Sequence, residues 1–124
     1  MTEPSTPREP AELRIQIHPD VVPELDLTLL RELFEHLGNT EPTALRYRWE
    51  EGDDNGKFVN LAFKTSDRSA LWAVVEAELY GHPVLGDLLG KASMALCTGD
   101  NGWDDYLLLY HFNPEFEVDE IDGP

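Results

Sequence analysis

The sequence predicts an α+β domain in which two helices pack on one face of a four- or five-stranded, mainly antiparallel sheet. Three features support that class. Apolar and polar residues alternate in residues 13–18 and 45–50, the period of half-buried strands, and residues 58–65 place Val59, Leu61 and Phe63 on one side. Apolar residues recur at helical spacing in residues 27–37 and 68–80. Two stretches dense in Asp, Asn and Gly, around Gly56 and Gly102, suit hairpin turns between neighbouring strands. A chain of 124 residues is of a size to bury one core.

In the first strand Leu13, Ile15 and Ile17 point one way and Arg14, Gln16 and His18 the other. Pro19 ends it by removing a backbone donor. Asp26 is placed to cap the first helix, because its carboxylate accepts the free amides of the first turn. Leu27, Leu30, Leu33, Phe34 and Leu37 form the buried stripe, and Gly38 reads as its C-terminal stop. Leu45, Tyr47 and Trp49 give the inward side of a second strand, and Val59, Leu61 and Phe63 that of a third, with the loop between them closing a hairpin. Ser66 or Asp67 caps the second helix, whose stripe is Leu71, Trp72, Val74, Val75 and Leu79, and Gly81 stops it. Residues 84–89 suggest one more helical turn.

Residues 92–97 fit either a strand or a continued helix. Residues 106–112 are apolar on both faces and so are expected to lie centrally in the sheet. The resulting order is β-α-β-β-α-(β)-β. If residues 92–97 are helical, it reduces to the β-α-β-β-α-β of the ferredoxin-like sandwich. Pro4, Pro7 and Pro10 mark residues 1–12 as a flexible segment, residues 13–114 as the domain, and residues 115–124 as an acidic tail.

Nine Lys and Arg against 25 Asp and Glu give a formal charge of −16. That charge repels phosphates, so nucleic acid is not an expected direct partner. It also speeds association with basic proteins. No run approaches the roughly 18 apolar residues of a membrane span, and no apolar leader precedes the domain. Cys97, the single cysteine, allows no internal disulfide. A cytoplasmic protein without membrane contact is expected.

Catalytic and metal signals are weak. Glu51, Asp53 and Asn55 fall at positions one, three and five of an EF-hand-like frame, but position twelve, which needs a carboxylate, is Ala62. Cys97 with His82 or His111 would need a base in reach and a group to orient it. His18, His36, His82 and His111 lack paired metal-ligand spacing. The carboxylate pairs sit in turns or on solvent-facing helix positions, and no phosphate-binding or nucleophile motif occurs. A non-enzyme without cofactor or metal is expected.

Two surfaces remain. Asp53, Asp54, Asp100, Asp104 and Asp105 in and beside the hairpin loops, with Trp103 as an anchor, are candidates to meet a basic cleft. Arg14, Arg46, Arg48 and Lys64 fall on strands opposite the core-facing residues, a candidate face for an acidic or planar ligand. In size, charge and element order the chain resembles the small acidic α+β proteins that neutralise bacterial toxins or inhibit other proteins by masking a basic site. That resemblance implies electrostatic and steric occlusion of a basic toxin, nuclease or similar partner. The alternatives are an acidic secretion chaperone and a small-molecule-binding domain using the Arg-bearing face.

Overall fold

A computed structural model of the chain describes residues 10–53, 56–99 and 102–119. Alternation in the first strand gives β1 (Ala11–Ile17), with Leu13, Ile15 and Ile17 wholly buried. Then come α1 (Leu27–Thr40), β2 (Ala44–Asp53), β3 (Lys57–Thr65), α2 (Arg68–Val75), a π-helical turn over Glu76–Tyr80, α3 (Gly86–Ala92), β4 (Ser93–Gly99) and β5 (Gly102–His111). The five strands form one antiparallel sheet in the order β2-β3-β1-β4-β5. The first four strands with α1 and α2 follow the ferredoxin-like order, and β5 adds an edge. Residues 92–97 therefore split: Ala92 closes α3, and the rest is strand.

The helices cover one face of the sheet. Asp26 and Asp67 cap α1 and α2, accepting from the amides of Leu29 and Ala70 at 3.0 Å. Leu30 and Phe34 of α1 and Leu71 and Val75 of α2 meet Ile15, Leu61 and Phe63 in a single core. Phe34 is its hub, with ring centroids 4.9 Å from Phe63, 5.5 Å from Tyr47 and 6.1 Å from Trp49.

Four expectations are corrected. Gly38 does not stop α1, which continues to Thr40. A β-carbon there would lie 2.1 Å from the Tyr47 ring, so this glycine permits close packing of α1 on β2. Leu45 does not face the core. The β2–β3 register shifts between Ala44 and Arg46, and Leu45 is left 51% exposed. The strand expected to be central, residues 106–112, falls in the edge strand β5, which ends at His111 and leaves Phe112 outside, and β1 takes the centre. Its outer side is partly covered by the segment that follows: Phe116 stacks on His111 at 4.0 Å, and Asp119 exchanges two hydrogen bonds with the backbone of Leu108. Finally, β1 begins at Ala11, so Glu12 belongs to the sheet and not to a flexible segment.

Candidate functional site

The face of the sheet turned away from the helices carries the side chains alternating with the core. Register places them in cross-strand rows: Arg46, Lys64 and Glu12; then Arg48, Ala62, Arg14, Leu96 and Leu108; then Glu50, Asn60, Gln16, Met94 and His111. Arg14, Arg46, Arg48 and Lys64 thus share one region of this face.

Glu12 organises them. It is 4% exposed, and its carboxylate lies 2.6 Å from Arg14 Nη2, 3.4 Å from Lys64 Nζ and 3.9 Å from Arg48 Nη2. Its backbone N–H donates to Thr98 Oγ1 at 3.0 Å. A buried carboxylate needs such partners, because desolvation penalises its charge. Arg48 Nε donates to Glu50 at 2.8 Å, and this bond, reinforced by the charges of Glu50 and Glu12, raises the guanidinium above its ordinary pKa. The depression beside the cluster, about 260 Å³, is lined by Glu12, Arg46, Arg48, Ala62 and Lys64 among others.

The Arg14 guanidinium lies over the Trp103 ring, its Cζ 4.9 Å from the ring centroid, and Trp103 remains 40% exposed. It is therefore tied to the open face as well as being part of the β5 edge. Asp104, Asp105 and Tyr106 follow it, all exposed.

The two hairpin loops are not brought together. Ile17 of β1 pairs with Val59, near the β2–β3 turn, whereas Leu13 pairs with Cys97, near the β4–β5 turn. The described strand ends Asp53–Lys57 and Gly99–Gly102 sit at opposite ends of the sheet, on the order of 20 Å apart at strand rise. Asp53, paired with Lys57 at one end, cannot share a compact cleft with Trp103, Asp104 and Asp105 at the other. Asp54 and Asp100 lie outside the described residues. The separation arises because a hairpin turn lies wherever its first strand ends, and β2 and β4 run in opposite directions.

Glu12 and Tyr106 escaped the reading of the sequence. Glu12 was legible in the phase of β1, since Glu12, Arg14 and Gln16 alternate against Leu13, Ile15 and Ile17. Two of the four histidines hold local backbone: His82 Nδ1 accepts from the amides of Val84 and Leu85, and His111 Nδ1 from that of Asn113. Among the described residues no three His, Cys, Asp or Glu side chains gather to hold a metal, and no helix is long and apolar enough to cross a membrane.

Cys97 is wholly buried on β4, and burial pushes its thiol up to about 11. The thiolate is the reactive form, so the native thiol should resist Ellman's reagent at pH 8 and react at once in guanidinium. Below pH 9 the thiol is protonated in both folded and unfolded chains. Between pH 9 and about 11 this thiol ionises mainly in the unfolded chain, so its contribution to stability should fall as pH rises, by about 3 kcal/mol in all. Burial raises the Tyr80 hydroxyl too and adds a fall of the same sign above pH 10, so urea titrations should show a shallower fall in Cys97→Ala than in the parent, most clearly between pH 9 and 10; equal slopes there would refute it.

Comparison with protein-family models, with curated proteins and with solved structures finds no match.

Proposed function

We propose that the chain is a non-enzymatic, acidic protein-binding module of inhibitor or toxin-neutralising type, which occludes a basic partner through β5 and the segment after it. One observation carries the reading. Of the eight exposed large apolar side chains among the described residues, five (Trp103, Tyr106, Phe112, Phe116 and Val118) lie on or just after β5. Asp104, Asp105, Glu115, Glu117 and Asp119 are interleaved with them. Exposed aromatics rimmed by charge are the composition of an interface: the rings supply contact area and the acids steer the encounter.

The placement of the bases supports the same reading. Setting aside Arg14, Arg46, Arg48 and Lys64 with Glu12 and Glu50, which the cluster engages, leaves 9 − 4 = 5 bases against 25 − 2 = 23 acids. The rest of the molecule is more uniformly acidic than its composition suggests. A cytoplasmic setting, where Cys97 stays a thiol, belongs to this reading.

The test is capture by the immobilised chain from its own source cells, followed by kinetics on the purified pair. The retained protein should be basic, and its association rate should fall steeply with salt. The triple variant Asp104→Asn, Asp105→Asn, Tyr106→Ala should associate about 10- to 100-fold more slowly or dissociate correspondingly faster. A captured partner indifferent both to salt and to this variant would rule the reading out.

A further inference from the structure

The geometry points to a second binding site, for a small oxyanion, in the depression between Arg46, Arg48 and Lys64, where a phosphate or carboxylate group would sit beside the resident carboxylate of Glu12. The site takes its ligand groups from β2 and β3, not from the β5 edge, and rests on the unequal way in which the cations hold Glu12.

A charge-assisted N–H···O⁻ bond closes to about 2.7–2.9 Å. Only Arg14 meets that distance, at 2.6 Å. Lys64 at 3.4 Å and Arg48 at 3.9 Å attract Glu12 through charge without closing such a bond. Their N–H groups are therefore available to a second acceptor. Arg48 has committed Nε to Glu50, which leaves its terminal nitrogens for a bidentate contact. Arg46 stands opposite Lys64 in register and, among the described residues, has no carboxylate within 4.0 Å. Four bases thus face two acids, a local excess of two positive charges on a chain of −16. A bound oxyanion would relieve the mutual repulsion of those bases.

Shape limits the ligand. Ala62 stands opposite both Arg14 and Arg48, and its methyl group is what leaves the depression open. A volume of about 260 Å³ lies below the roughly 300–1,000 Å³ of sites for drug-sized ligands. It suits inorganic phosphate, a small phosphate ester or a short carboxylate. The surrounding acidity opposes accumulation of anions from a distance, so binding is weak and depends on contact.

The experiment is a titration of the isotopically labelled chain with inorganic phosphate, methyl phosphate or succinate, at constant ionic strength, read by amide chemical shifts. Saturable shifts are expected at Glu12 and along β2 and β3, and the stronger of the phosphate and succinate arms identifies the source of the oxyanion. Arg46→Gln with Lys64→Gln should weaken binding about tenfold or abolish it. Ala62→Val should block it with every charge in place. Glu12→Gln should tighten it about tenfold, because a competing charge is removed at similar shape. Non-saturating shifts, or binding unaltered in both the Arg46/Lys64 and the Ala62 variants, would mean an adventitious ion only and would overturn the site. If Glu12→Gln does not fold, the other two variants still decide. None of them alters Asp104, Asp105 or Tyr106, so failure here leaves the β5 reading to its own test.

Discussion

Phe34→Ala is expected to cost about 3–5 kcal/mol of folding stability, a large part of the 5–15 kcal/mol typical of a small domain. The ring is wholly buried and touches three further aromatic rings, two on β2 and one on β3. Truncation removes the transfer free energy of the ring and leaves a void that rigid neighbours cannot fill. Edge-to-face contacts such as that with Tyr47 add to the loss. The damage should fall first on β2, an edge strand paired only with β3 and joined to α1 through Tyr47 and Trp49. Arg31 over Trp49, at 5.2 Å, is a weaker second link between the same elements. Phe34→Leu keeps most of the volume and should cost about 1.5 kcal/mol or less. Urea unfolding of both variants is the measurement. A loss below about 1 kcal/mol for Phe34→Ala would show that α1 does not pack on β2 through this ring.

The elements were legible where the two faces of a segment differ in chemistry. Leu13, Ile15 and Ile17 against Arg14 and Gln16 leave one reading, and Asp26 and Asp67 cap their helices by a local bond that needs no tertiary context. What failed depended on contacts distant in sequence. A hairpin is local, but the direction in which it points relative to another hairpin depends on the order of strands in the sheet. Two acidic loops therefore looked like one surface when they lie at opposite ends. Gly38 carries two meanings, helix stop and close approach, and only Tyr47, nine positions on, decides between them. Residues 106–112 are apolar on both faces because the returning segment, through Phe116 and Asp119, covers part of an edge strand. The basic face was legible from alternation, and the same phase carries its organiser, which a strand begun at Leu13 leaves out. Glu12 follows Pro10, and the proline-rich segment before it masked the start of the strand.

Gly99→Val should separate the two parts of the molecule that the proposed function treats differently. Gly99 pairs with Gly102 where β4 turns into β5. A β-carbon at Gly99 would fall 1.8 Å from the carbonyl oxygen of Asp105 and 2.9 Å from its carbon. Those are backbone atoms of the neighbouring strand, with no flexible side chain to swing aside, so β5 itself must move. The strain is expected to cost about 1–3 kcal/mol. It should be local, because β4 remains paired with β1, and the β2-β3-β1-β4 core makes no use of the Gly99–Gly102 pair. Amide exchange should thus accelerate at Leu107 and Leu108 while Ile15 and Leu61 stay protected. Trp103, Asp104, Asp105 and Tyr106 would lose their fixed arrangement, and partner affinity should fall by about 30-fold or more, the scale of a lost interface hot spot. Anion binding beside Glu12 should persist, since Arg46, Arg48 and Lys64 lie on β2 and β3, which are not paired with β5. Unchanged protection along β5 would contradict the close approach at Gly99. Full partner affinity with β5 demonstrably detached would show that the partner docks elsewhere.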